Sequence, residues 1–279
     1  MLVDTCIVAS NNNDFYLDFF PAVNRCWKDI CGIRCLLVLV SHEIPEKLQP
    51  FKDDIILFKP IPGVSDILVS QIIRLLYPCL LSDKTSNGVI ISDIDLIPMN
   101  KSFYIDNATN IPNDKFLVYR DVCLNYGQIA MCFNAATPSV WKEVWKNSGV
   151  TVQNEQNIIE FLQMISQGVL FDGRPGESGW FTDQLVLYRI VMLFKQAPNN
   201  RVVVLKDTEN GFKRLDRADT QYIEQHKTTI REEVKRGEYS DYHMPRPWKD
   251  YKSFLMYFLQ DVLSNESQDK INRCVPGTH

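Results

Sequence analysis

The sequence predicts one α/β domain with a mixed, mostly parallel central sheet flanked by helices. Three observations carry this. Short β-branched runs alternate with helix-period segments through the first hundred residues, the pattern of parallel strands joined by helical crossovers. After residue 110 two strand-like runs, Phe116–Tyr119 and Ile129–Phe133, follow each other without an intervening helix, so the sheet there is mixed. The 279 residues are 45% hydrophobic and 23% charged, an ordinary globular balance at a length that buries a core without staples.

Taken in order, Cys6-Ile7-Val8-Ala9 is an apolar, β-branched run and reads as the first strand. Asp14–Ile30 has a helical period, and Ile33–Val40 and Ile55–Phe58 read as the second and third strands. Ser65–Leu81 is a helix whose Ile67, Leu68, Ile72, Leu75, Leu76 and Leu80 share roughly one face. Gly88–Ser92 is a fourth strand. Beyond the two close strands come helices near 138–147 and 154–167, a helix over Thr182–Lys195 and a strand over Val202–Leu205. Thr220–Arg236 reads as a charged, exposed helix. Tyr251–Leu263, rich in Phe, Leu, Met and Tyr, reads as a helix packed on the domain rather than lying on a membrane surface.

Several function classes drop out early. The net charge of −4 argues against a general nucleic-acid binder, which needs a basic face to displace counterions. No glycine-rich phosphate cradle of the G-x-G-x-x-G or Walker type occurs. The longest apolar runs, such as Cys35–Val40, are far too short for a transmembrane segment. The N-terminus has no signal-peptide pattern. The eight cysteines show no C-x-x-C spacing and sit in or beside apolar runs, so they read as reduced and the expected location is cytoplasmic.

The sharpest chemical feature is Ser92-Asp93-Ile94-Asp95-Leu96-Ile97-Pro98. Two carboxylates two residues apart follow directly on a buried apolar strand, and ligands of open α/β sheets bind at the carboxyl ends of strands. Residues i and i+2 of an extended chain point the same way, so both acids can converge on one hard cation such as Mn²⁺ or Mg²⁺. Without an ion, two such carboxylates would raise each other's pKa. The plain alternative is a pair of turn-capping aspartates.

This segment resembles the D-x-D motif of GT-A fold, nucleotide-sugar-dependent glycosyltransferases, and four others resemble the same family in the same order. Gln71–Pro78 is similar to its R-L-x-x-P helix, Tyr126–Ala135 to its F-N-S/A-G-V-M-L-x-N strand, and Gly179–Gln184 to its D-Q helix start. Tyr242–Lys249 is similar to the H-x-x-G-x-x-K-P-W segment of the glycogenin-like branch, though it lacks the glycine and has Arg246 near the expected lysine. The resemblance covers roughly residues 5–250. It implies a Rossmann-like GT-A domain with a nucleotide-binding half (1–100), an acceptor-side half (101–265) and a tail (266–279). It further implies an enzyme that moves a sugar, from a nucleotide sugar expected to be UDP-linked, to a glycan or glycoprotein acceptor. Asp93, Asp95 and His243 would hold Mn²⁺ (or Mg²⁺). Ala9, Ser10 and Asn11 would hold the nucleoside, Ile94 and Gln128 would line the donor site, and Arg74, Arg246 and Lys249 would face the diphosphate. Asp183 and Gln184 would act at the sugar, with Asp172 as another acid that could serve as base.

Each residue also has a plain structural reading. Arg74 reads equally as a solvated helix charge, His243 as a loop histidine in a Pro-rich segment, and Asp183 as a helix-capping acid. A D-x-D phosphohydrolase is an alternative function, but its acids normally end the first strand. A non-catalytic nucleotide-sugar-binding module of the same fold is another.

Overall fold

The computed structural model describes residues 1–168, 174, 176–177, 179–197 and 200–275. Strand β1 (Val3–Asn11) leads through α1 (Asp14–Leu17) and α2 (Phe20–Cys26) to β2 (Arg34–Val40) and β3 (Ile55–Phe58). Helix α3 (Asp66–Leu76) precedes β4 (Gly88–Ile91) and β5 (Leu96–Pro98), and α4 (Asn107–Thr109) precedes β6 (Phe116–Val118) and β7 (Asn134–Ala136). Three helices follow, α5 (Pro138–Asn147), α6 (Glu155–Gly168) and α7 (Thr182–Gln196), then β8 (Val202–Val204) and β9 (Lys213–Asp216). The chain ends with α8 (Thr220–Gln225), α9 (Lys227–Lys235), β10 (Tyr239–His243), α10 (Trp248–Leu259) and α11 (Asn265–Cys274).

Seven strands form the main sheet in the order β3-β2-β1-β4-β7-β6-β8. The pairings are parallel except those of β7 with β4 and β6, so the sheet is mixed and mostly parallel, as expected. Side chains alternate between its faces. On β2, Cys35, Leu37 and Leu39 enter one core while Leu36, Val38 and Val40 enter the other, as a strand buried on both sides requires. A second sheet, β5-β10-β9, lies beside it. Helix α5 is docked by two indoles: Trp141 donates to the Val89 carbonyl at 3.3 Å and Trp145 to the Leu75 carbonyl at 2.8 Å.

The structure corrects several element readings. The helix expected over Asp14–Ile30 is broken into α1, α2 and a π-helical turn Trp27–Cys31, because Pro21 cannot continue a helix and is tolerated only in a first turn. Likewise Pro78 converts the end of the Ser65–Leu81 helix into a 3₁₀ turn, Tyr77–Leu81. The strand expected at Ile129–Phe133 lies at Asn134–Ala136. Ile129, Met131 and Phe133 are buried, so apolarity there marked burial rather than extended pairing. The Thr220–Arg236 helix is interrupted at His226. Strands β5, β9 and β10 were not anticipated, being short and partly charged.

Helix α10 starts at Trp248, and its Trp248, Leu255, Phe258 and Leu259 are buried, so it packs on the protein as expected. No helix among the described residues is long and apolar enough to cross a membrane. All eight thiols are free, and seven are buried.

Candidate active site

Strand order reverses between β1 and β4. On one side the sheet continues through β2 and β3, on the other through β7, β6 and β8. Helical connections on opposite faces leave a crevice at such a switch point, and a cleft of about 360 Å³ opens there. Ala9, Ser10 and Asn11 of β1 line it, with Arg74 of α3, Asp93, Ile94 and Asp95 after β4, Asp183 and Gln184 at the start of α7, His243 ending β10, and Arg246. Residues spread over 237 positions in the chain, from Ala9 to Arg246, therefore share one cavity.

The second sheet explains how Asp95 and His243 meet. In the antiparallel β5–β10 ladder Leu96 lies opposite His243, and the Met244 N–H donates to the Asp95 carbonyl at 2.9 Å. The parallel β9–β10 register then sets Asp216 beside His243. His243 thus ends a strand rather than sitting in a loop. Its Nε2 is 3.4 Å from Asp95 Oδ2 and its Nδ1 is 3.4 Å from Asp216 Oδ2.

Arg74 is no solvated helix charge. It is 7% exposed, one terminal nitrogen donating to Asp93 and the other to Asp183 at 2.5 Å. With both ends of its fork used, Arg74 braces two acids across the cleft. Asp183 also accepts from the Gln184 N–H at 2.8 Å. Burial pushes the Asp183 carboxyl upward, and Arg74 does not fully offset this. Asp95 behaves oppositely. Burial alone would raise it, yet His243, Arg246 and Arg217 hold it well below the usual carboxylate range, which corrects the expected mutual repulsion of the two acids. The Arg217 fork donates to Asp95 Oδ2 at 2.7 Å, and Arg246 Nε lies 3.4 Å from the same oxygen.

Two expected donor-site residues stand outside the cleft. Gln128 follows Gly127, which ends a 3₁₀ turn in the left-handed conformation, and with β7 starting only at Asn134 it is not on a strand that faces the site. Lys249 is exposed on the first turn of α10, since the turn there sends Arg246 to the cleft and Trp248 to the core. Asp172 lies outside the described residues.

No family model matches the chain, and no curated protein matches it. The fold is similar to that of solved glycosyltransferases. The glycosyltransferase GlyE of Streptococcus pneumoniae TIGR4 aligns with a TM-score of 0.48 at 12% identity, over 98% of this chain and 63% of its own. The bifunctional glycosyltransferase WbbM gives 0.47 at 11% identity, over 98% of this chain and 51% of its own. An active-site mutant of LgtC gives 0.47 at 9% identity, covering 96% of this chain and 94% of its own. The chain thus spans less than two thirds of the length of GlyE and WbbM.

The expected Asp93, Asp95 and His243 set is not gathered around one point. Asp93 is turned to Arg74, and among the described residues no group of three or more His, Cys, Asp or Glu side chains is arranged to hold a metal. Asp95 and His243 nonetheless form a two-donor seat suited to a cation. Asp216 faces Nδ1, the support that orients a metal-ligating imidazole so that Nε2 is presented. Arg217 Nη1 already lies 2.6 Å from that Nε2 as well as touching Asp95. Burial lowers the imidazole pKa, but Asp95 and Asp216 push it up to about 9, so a proton and the guanidinium compete for Nε2. Carboxylate and imidazole together fit Mn²⁺.

Sequence reasoning missed Arg217 and Asp216, and also Tyr16, whose hydroxyl meets Arg246. No local pattern signals them: Leu215 is the single apolar residue of Lys213-Arg214-Leu215-Asp216, too little for a strand period to register.

Proposed function

We propose that this chain is a metal-dependent glycosyltransferase that moves a sugar from a UDP-linked donor to the hydroxyl of a glycan or glycoprotein acceptor. The observation that supports it most is the convergence in one switch-point cleft of two acids after β4, a histidine from β10 and arginines beside them. In this reading Ser10 and Asn11, polar and ending β1, hold the nucleoside. Arg246 faces the diphosphate. Asp95 and His243 hold Mn²⁺ in preference to Mg²⁺, because imidazole suits the softer ion. When bound, the ion neutralises charge on the departing diphosphate.

Transfer breaks the bond between the sugar's anomeric carbon and the diphosphate oxygen and forms one to the acceptor oxygen, whose proton passes to the departing diphosphate. Asp183 and Gln184 contact the transferred sugar. Arg74 positions Asp93 and Asp183 and does not grip the donor. Free, buried thiols accord with a cytoplasmic setting.

Incubation with a panel of UDP-sugars and Mn²⁺, with UDP release as the readout, tests the reading. Release from at least one donor, lost in Asp95→Asn, is expected. Hydrolysis of simple phosphomonoesters, with none of any nucleotide sugar, would overturn it in favour of a phosphohydrolase.

A further inference from the structure

Arg217 opens a short turn, Arg217–Asp219, after β9, and its Nη1 bridges Asp95 Oδ2 at 2.7 Å and His243 Nε2 at 2.6 Å. On the reading of function above, on which this inference rests, those two atoms are the ones a divalent ion would take. A guanidinium and a divalent ion cannot share them, since like charges at such range repel strongly. The seat is also rich in positive charge. Asp95 is faced by Arg217, Arg246 and His243, with Asp216 behind the imidazole. A divalent ion arriving alone would enter among cations, whereas a diphosphate arriving with it supplies the missing negative charge.

The geometry also says which partner can leave. The Arg217 side chain is 30% exposed and that of Asp95 only 7%. The turn holds its shape without the guanidinium: Asp216 accepts from the Ala218 N–H at 2.9 Å, and the Thr220 hydroxyl donates to the Arg217 carbonyl at 2.6 Å. We propose that Arg217 is the resident counter-cation of the Asp95–His243 pair, displaced when a divalent ion and a nucleoside diphosphate enter together, its freed guanidinium then pairing with the diphosphate. Ion and nucleotide consequently bind with positive coupling, each tightening the other by the same factor.

Mn²⁺ binding read by electron paramagnetic resonance, with and without UDP and with no sugar donor present, tests this on wild type, Arg217→Ala and Arg217→Gln. Wild type is expected to bind Mn²⁺ weakly alone and roughly tenfold more tightly with UDP, as when a competent state is populated about one part in ten. Arg217→Ala is expected to bind Mn²⁺ alone about tenfold more tightly than wild type, with the coupling to UDP reduced. Arg217→Gln, neutral and close in length, carries the same expectation should the alanine variant fail to fold. A folded variant that binds Mn²⁺ alone no more tightly than wild type would overturn the counter-cation role while leaving the glycosyltransferase reading intact. Absence of Mn²⁺ binding in every protein, even with UDP, would instead overturn the metal-dependent reading and this inference with it.

Discussion

Asp95 and Asp183 are both buried carboxylates in one cleft, yet their surroundings act on them in opposite senses. Burial disfavours the ionised Asp95, but His243, Arg246 and Arg217 more than compensate and its pKa falls below the ordinary 3.8. A carboxylate with a depressed folded pKa contributes stability that is present above its unfolded value and lost as pH falls through the folded one. Asp95→Asn should therefore lower the melting temperature at pH 7, by the equivalent of about 3 kcal/mol if it behaves like other broken buried pairs. The gap to wild type should narrow in acid. For Asp183 the dominant influence is burial, and the pKa is raised. Its contribution is most favourable below 3.8 and declines as pH rises through the folded value. Asp183→Asn should accordingly be no less stable than wild type at pH 7, with its relative stability improving between pH 4 and pH 7, while sugar transfer is lost. Thermal melts at pH 4 and pH 7 check the sign for Asp183, and melts carried well below 3.8 check it for Asp95; a large drop in melting temperature for Asp183→Asn would show that its pairing with Arg74 outweighs burial.

At the scale of elements, the three-residue strand β5 matters most, since its ladder with β10 fixes Asp95 against His243. Neither strand was legible. Leu96-Ile97-Pro98 is too short for a period to register, and Tyr239-Ser240-Asp241-Tyr242-His243 carries a buried acid, Asp241, that looks exposed in sequence but pairs with Arg214 at 3.0 Å. Strands β1 to β4, by contrast, were legible because they are apolar on both faces, and only pairing inside a parallel sheet accounts for that. The breaks near Pro21 and Pro78 are written in the sequence as prolines, although a helical period runs through both. Within β10, Tyr242 is fully buried and its ring packs edge-on to Phe258 at 6.2 Å, while its hydroxyl has no hydrogen-bond partner among the described residues. Tyr242→Phe should keep the packing and remove an unsatisfied polar atom, raising stability by up to about 1 kcal/mol with no loss of nucleotide binding. Denaturant unfolding of that variant measures it, and a destabilisation would mean that the hydroxyl is satisfied in solution.

For the molecule as a whole, the position of the site was legible because topology dictates it: an acid pair ending a mid-chain apolar strand must lie at the carboxyl edge of the sheet. The residues that β1, α3 and α7 contribute were implied by the family resemblance and not by that edge. What could not be read was the pairing of charges inside the cleft. Arg74 spans Asp93 and Asp183, and Arg217 occupies the Asp95–His243 seat, arrangements set by contacts between segments about 20 to 120 residues apart. On the reading proposed above, the second arrangement makes the cleft a place where a cation and an anion arrive together. Calorimetric titration of UDP into the wild-type protein, once with Mn²⁺ and once after chelation, tests that claim most directly. Binding with Mn²⁺ that disappears on chelation, with Mg²⁺ restoring it less well, is the predicted result. Equal UDP affinity in the presence and absence of the ion would contradict it.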